Sequence, residues 1–170
     1  MNTINERKMN YTTALQRASA LCAGSEHCRQ DIREKLTRWE VSTEDADKIL
    51  EFLVDEKYID EARFSRAYAL DKMRYNHWGR QKIDQGLRLL HIDGEIRSAA
   101  LAELPDEEYC DILSGLLQSK QRSIKARNSY ERNGKLIRFA MGRGFEMEYI
   151  RECLPDVEEY PENDEPDEDW

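Results

Sequence analysis

No run in this 170-residue chain approaches the ~18 consecutive apolar residues that a membrane-crossing helix requires. The amino-terminal stretch MNTINERKMNYTTALQ carries Lys and Arg but no apolar core of signal-peptide length, so the expected location is the cytoplasm. Cysteine is sparse and dispersed. Cys22, Cys28, Cys110 and Cys153 contain no C-x-x-C pair, and in a reducing compartment they read as small buried hydrophobes. His27, His77 and His91 are scattered, with no second ligand at helical spacing, so neither a metal centre nor a cofactor is expected. Glycine (8) and proline (4) are too few for a turn-rich β architecture. Abundant Leu, Ala, Glu, Arg and Lys favour helix instead.

The motifs of common catalysis are also missing. There is no G-x-x-x-x-G-K-[ST], no G-x-G-x-x-G and no H-E-x-x-H. Met141-Gly142-Arg143-Gly144 resembles a phosphate loop only superficially, since no strand precedes it. No Ser/His/Asp set stands out, and a non-enzymatic protein is expected.

Charge is unevenly spread. The formal net charge is −9, but nine of the 35 acidic residues lie in 155–170, a segment with no base. The 26 acids that remain equal the 26 Lys and Arg, so residues 1–154 are formally neutral. The acidic tail has Pro161 and Pro166 and almost nothing apolar to bury, and is expected to be disordered. It is also a candidate for screening a basic face of the same chain.

What the chain does have is a repeat. Ile32, Leu36, Trp39 and Val41 stand at offsets 0, 4, 7 and 9; Ile83, Leu87, Leu90 and Ile92 repeat the pattern, and Leu136, Ala140, Arg143 and Phe145 approximate it. The starting positions are 51 and 53 residues apart; offset 18 lands on Leu50, Leu101 and Leu154, and offset 26 on Tyr58 and Tyr109. Each unit divides into three helical patterns. In the first unit these carry Ala14, Leu15, Ala18, Leu21 and Cys22, then Ile32, Leu36 and Trp39 behind a cap at Ser25, then Ala46, Ile49, Leu50 and Leu53 behind Ser42-Thr43-Glu44-Asp45. In the second unit Asp60 should cap a helix with Phe64, Ala67 and Leu70 inward, and Asp93-Gly94 should restart the chain before Ile96, Ala100 and Leu104. In the third, Pro105-Asp106 opens a helix bearing Ile112, Leu113, Leu116 and Leu117. Just before each offset-9 hydrophobe stand Glu40, His91 and Gly144, where a helix end calls for a left-handed residue. Only Gly144 takes that conformation without steric cost.

Three short units stacked in series give an all-α fold, an elongated, curved tandem array with a long concave face. A bundle around one core is the other arrangement the pattern permits. The expected divisions are 1–58, 59–105 and 106–155 for the three three-helix repeats, with 156–170 as the tail.

Cations concentrate in two places. Residues 63–88 hold seven Lys or Arg against Asp71 and Asp84, interleaved with Tyr68, Tyr75, His77 and Trp78. Residues 118–143 hold eight bases against one acid, Glu131. A helix starting near Asn128 would present Arg132, Lys135 and Arg138 on one broad face beside Tyr130. Cations following a phosphate backbone with aromatic rings alongside are what single-strand binding requires. A merely solvated helix face is the plainer account of either cluster, and the acidic stretch 93–111 could pair with one of them. Within the first cluster, Phe64 reads as core and Asp60 and Glu61 as first-turn acids. Arg63, Arg66, Lys72 and Arg74 have no such internal explanation, so they are surface candidates.

The run YIDEARFSRAYALDKMRYNHWGRQKIDQGLRLLHID resembles the central signature of the RecX family, regulators of the RecA recombinase. The matching elements are the acidic pair before Arg63-Phe64, the Trp78-Gly79 break and the basic helix after it. RQDIREKLTRWEV and ERNGKLIRFAMGRGF fit the same repeated pattern, and the resemblance spans about residues 10–155. Glu40 and His91 depart from the family's usual glycine, and Ser65 from its usual alanine. The resemblance implies tandem three-helix repeats that lodge in the groove of the RecA–single-stranded DNA filament and hinder ATP hydrolysis, strand exchange and filament growth. By that implication the binding residues are Arg63, Arg66, Lys72, Arg74, Arg80, Lys82 and Arg88, with Arg127, Arg132, Lys135, Arg138 and Arg143 from the third unit. Asp60, Phe64, Trp78 and Gly144 are the structural signature. The expected partners are RecA and single-stranded DNA, with no membrane and no self-association. The alternatives are a general nucleic-acid-binding helical module with no recombinase partner, and a plain helical scaffold.

Overall fold

The computed structural model describes residues 8–154, so the acidic tail lies outside the described residues. Among these residues there are nine α-helices and no strand. The first three are α1 (Tyr11–Gly24), α2 (Arg29–Arg38) and α3 (Thr43–Asp55). The middle three are α4 (Glu61–Asn76), α5 (Arg80–Leu89) and α6 (Gly94–Ala102). The last are α7 (Asp106–Ser123), α8 (Ser129–Gly142) and α9 (Met147–Cys153).

Short polar side chains set four of the helix starts, by accepting bonds from amides that have no partner within the helix. Asn10 accepts from the Thr13 amide at 2.8 Å, Ser42 from Asp45 at 3.2 Å, Asp60 from Arg63 at 3.0 Å and Asn128 from Glu131 at 2.8 Å. The expected cap at Ser25 is not one. Ser25 instead ends α1, its amide donating to the Leu21 carbonyl at 3.2 Å, and α2 begins after Cys28 with no side-chain cap. Two intervening residues, Glu26 and His27, are needed to turn the chain, and that moves the start of α2.

Three helix ends share one geometry at the repeat positions. After α2, the Glu40 amide donates to Thr37 and the Val41 amide to Leu36, both at 3.0 Å. After α5, His91 donates to Arg88 at 3.0 Å and Ile92 to Leu87 at 3.2 Å. After α8, Gly144 donates to Met141 at 2.9 Å and Phe145 to Ala140 at 3.1 Å. Each is a Schellman closure, with an apolar pair buried across it. The left-handed residue is Glu40 (φ 56°), His91 (φ 58°) and Gly144 (φ 92°) in turn. Glu40 and His91 therefore accept the backbone strain and do not end their helices differently. Replacing His91 with glycine should relieve a penalty of ~1–2 kcal/mol, less the extra chain entropy that glycine loses. The expected result for His91→Gly is a net gain of up to about 1 kcal/mol in urea unfolding, with an unchanged m-value. Left-handed residues also stand at Lys57 (φ 58°) and His77 (φ 55°), just after α3 and α4.

The described chain falls into two compact units, residues 8–67 with 87–97 and residues 68–86 with 98–154. The division passes through α4 and α5, not between repeats. The first unit is built on Ala14, Ala18, Cys22, Ile32, Leu36, Ala46, Ile49, Leu50, Leu53 and Ile59, with Trp39 packed against them. Arg17 lies over the Trp39 ring, 5.1 Å from its centroid. The second unit buries Ala69, Met73, Ile83, Tyr109, Leu113, Leu117, Leu136, Ile137, Ala140, Phe145 and Ile150.

Phe64 is core, as expected, but its neighbours are not the expected ones. Ala67 and Leu70 are half-buried, while Ser65, Ala69 and Met73 are buried fully, a stripe at 3.6-residue spacing one position round the helix. The Ser65 hydroxyl is buried without a hydrogen-bond partner. Cys22 and Cys28 are buried, whereas Cys110 and Cys153 are only half-buried, so the uniform core assignment of the cysteines does not hold.

Candidate interaction surface

Several cations expected at the surface have internal work. Arg63 pairs through Nε with the Glu26 carboxylate and donates from Nη2 to the carbonyls of Lys57 (3.2 Å) and Tyr58 (3.4 Å). It thus fastens the start of α4 to the α1–α2 turn and the end of α3. Its amide, and after it the nearby Arg63 and Arg66 cations, hold the Asp60 carboxyl below its ordinary range. Arg74 grips Glu108 in a two-bonded fork, at 2.7 Å and 3.1 Å. The acidic stretch before 111 therefore pairs with the first basic cluster, as was one expectation.

Arg80 is the most engaged. Its side chain is 17% exposed and lies 4.2 Å from the Tyr109 ring centroid and 5.3 Å from that of Tyr149. It pairs with Asp106 at 2.9 Å and Glu146 at 3.5 Å, and donates to the Leu101 carbonyl at 3.1 Å. The Tyr109 hydroxyl accepts from the Arg80 amide at 3.0 Å and donates to Glu146 at 2.7 Å. Burial, foremost, pushes the Tyr109 phenol well above its usual range, so the group remains a donor. Arg80 is a clasp joining the start of α5 to α7 and α9.

Next to the clasp, two backbones cross. Gly79 donates to the Arg143 carbonyl at 2.8 Å, and Gln81 donates to the Gly144 carbonyl at 3.0 Å. A Cβ on Gly79 would lie 2.3 Å from the carbonyl of Gly144, and one on Gly144 would lie 2.5 Å from Lys82 Cβ. The Arg143 side chain adds a bond to the Asn76 carbonyl at 3.2 Å. Main-chain atoms thus lock the α4–α5 turn of the second repeat to the α8–α9 turn of the third. Trp78 and Gly144, both named from sequence, belong to this joint.

Around the joint runs a strip of cations seated on aromatic rings. Lys72 Nζ lies 4.8 Å from the Trp78 ring centroid and 5.4 Å from that of Tyr68, and Lys82 Nζ approaches Trp78 at 4.9 Å. Arg143 lies 5.5 Å and Lys120 4.9 Å from the Phe139 ring. Desolvation first, then the Arg143 charge, lowers the pKa of Lys82. That shift is the mark of cations crowded together on a partly dry surface. Lys72, Lys82 and Arg143 were legible as cations in sequence. Lys120 and Phe139 were missed as members of the strip, because only the packing of α7 against α8 brings them together.

The third-repeat cations are divided. Lys135 donates to the Lys125 carbonyl at 2.7 Å, and Arg127 and Lys135 share Glu131 at 3.0 Å and 3.6 Å. Arg132 lies 3.4 Å from the buried Asn133 amide oxygen, and Arg138 is half-buried on α8. The Arg127 side chain is 91% exposed, and Tyr130 beside it is 54% exposed. Arg66 and Arg88 are exposed on α4 and α5, and Tyr75 is 79% exposed near Arg74. Among the described residues no group of three or more His, Cys, Asp or Glu is placed to hold a metal ion, and no helix is long and apolar enough to cross a membrane.

Three family models match in succession: the first three-helix domain of RecX over residues 14–53, the second over 60–101 and the third over 106–154. "Regulatory protein RecX" of Prosthecochloris aestuarii is 31% identical over 144 residues, covering 85% of this chain and 93% of the relative. The protein of the same title from Vibrio vulnificus is 27% identical, with 85% and 90% covered. The crystal structure of RecX from Lactobacillus salivarius superimposes with a TM-score of 0.76 at 16% identity, covering 86% of this chain and 95% of that one. A second solved structure, "Crystal structure of regulatory protein RecX", gives 0.77 at 20% identity, covering 86% and 72%. The three tandem three-helix domains, the glycine-crossed joint and these likenesses lead to one statement: the chain belongs to the RecX family of regulatory proteins.

Proposed function

We propose that this protein binds the RecA–single-stranded DNA filament and down-regulates it by occupancy, without turning over a substrate. The observation that carries the reading is the strip of Lys72, Lys82, Lys120 and Arg143 on Trp78 and Phe139. Cations held over rings offer both positive charge and a flat apolar surface, which suits a polyanion or an acidic protein face. Arg127, Arg132, Lys135 and Arg138, in the same compact unit, extend the positive surface, and the ion pairs of Arg74 and Arg80 brace it. Arg66 and Arg88 are exposed cations of the other unit, where Arg63 is engaged internally.

The test is single-stranded-DNA-dependent ATP hydrolysis by the cognate RecA as this protein is titrated in. The expected result is loss of hydrolysis well below one copy per RecA protomer, with no loss from an equally charged helical control. Unaffected hydrolysis alongside measurable binding to naked DNA would overturn it.

A second reading, a general nucleic-acid-binding module, draws on exposed Tyr130 and Tyr75 beside Arg127 and Arg74. It requires tight binding to bare single strands, with a log–log salt slope of about −0.7 per phosphate neutralised.

A further inference from the structure

Two cysteines are left outside both cores and outside the proposed surface. Cys110 lies in the second turn of α7, and Cys153 is the last residue of α9. The Cys153 thiol is 3.3 Å from the Ser114 hydroxyl, and Ser114 is one helical turn beyond Cys110 on the same face of α7. Residues four apart on a helix have Cβ atoms about 5–6 Å from one another, so the contact with Ser114 carries the Cys153 sulfur to the neighbourhood of Cys110. Cys110 bears the mark of that neighbour: after burial, Cys153 is the next cause that raises the Cys110 thiol above its usual range. Both are half-buried and both are free. Cys22 and Cys28 differ, being buried, and burial pushes the Cys28 thiol up to about 12.

We propose that Cys110 and Cys153 form an oxidisable dithiol which, as a disulfide, ties the end of α9 to α7. A low-molecular-weight disulfide such as oxidised glutathione is the oxidant. One protein thiol loses its proton and attacks a glutathione sulfur, the glutathione S–S bond breaks, and glutathione leaves as the thiol after taking up a proton. The second protein thiolate then attacks the mixed disulfide at the protein sulfur and expels the other glutathione. Two protein S–H bonds become one S–S bond, and one oxidised glutathione becomes two reduced molecules. Because the Cys110 thiol is held protonated, the reaction quickens as pH rises. The closed loop is about 40 residues long, so oxidation raises the thermal midpoint by roughly 5–10 °C.

The experiment incubates the full-length protein with oxidised glutathione, quenches in acid, and reads intact mass, mapped peptides and thermal midpoint. The expected product is lighter by two hydrogens, is linked from Cys110 to Cys153, and is more stable. Cys110→Ser and Cys153→Ser should each lose the link and retain a single glutathione adduct at the remaining cysteine of the pair. Cys22→Ser should keep the link. Glutathione adducts persisting at both Cys110 and Cys153 of the unsubstituted protein, or no reaction at either, would overturn the proposal.

Discussion

Under the proposed filament-binding role, combined reversal of Lys72, Lys82 and Lys120 to Glu should cost on the order of a hundredfold in the concentration needed to inhibit the recombinase ATPase. Each reversal turns an attraction of about 1 kcal/mol at a half-exposed site into a repulsion of similar size. Halving the sum for solvent screening leaves about 3 kcal/mol, or two decades. The three lysines have their ring contacts on one strip, formed by Trp78 and Phe139. Glutamate keeps the Cβ that abuts Gly144 at position 82, so the helical circular dichroism should stay unchanged. A matching triple reversal of Arg132, Lys135 and Arg138 is the informative comparison. Those side chains are partly spoken for, Lys135 by the Lys125 carbonyl and Glu131, and Arg132 by Asn133, so a smaller effect is expected from them. Equal inhibition by the folded lysine variant and the parent would remove the strip from the proposed interface.

The second large effect is one of stability. Gly79→Ala should destabilise the protein by about 3 kcal/mol, combining overpacking with weakened backbone bonds. The added methyl would stand 2.3 Å from the carbonyl of Gly144 and the amide of Phe145. These are main-chain atoms, so no side chain can rotate aside to relieve the clash. The same step displaces the Gly79 and Gln81 amides from the carbonyls they meet at 2.8 Å and 3.0 Å. The thermal midpoint should fall by roughly 10 °C. Gly115→Ala is the matched control. Gly115 sits in α7 with nothing within 4 Å of the added carbon, so helix propensity alone should make that change stabilising by up to about 1 kcal/mol. A mild effect at Gly79 would mean that the two turns are not locked together through their backbones.

The periodic features of this fold were legible in sequence, and contacts between distant segments were not. Offsets 0, 4 and 9 located three equivalent helix ends, and the local rules of capping placed the starts of α3 and α4 at Ser42 and Asp60. These are interactions within a few residues, where pattern and physics coincide. The partners of Arg63 and Arg74 are 37 and 34 residues away in sequence, so neither Glu26 nor Glu108 could be assigned to them by spacing. Tyr109 was visible only as a repeat position. Its counterpart Tyr58 is 37% exposed, which shows that equal register does not confer equal burial. The glycine at 79 looked like a break between helices. Its deeper reason, a second backbone passing against it, depends on a residue 65 positions later.

The lysines over Trp78 and Phe139 are also restrained before anything binds. A free lysine gives up about 1.5–2 kcal/mol of rotamer freedom when an anion fixes it in place. Here part of that ordering is completed as the protein folds, so a partner meets a surface already shaped to receive it. Pre-organisation of this kind lengthens the lifetime of a complex more than it speeds its formation. If the proposed role holds, slow departure lets each bound molecule keep its place through many cycles of the filament it regulates.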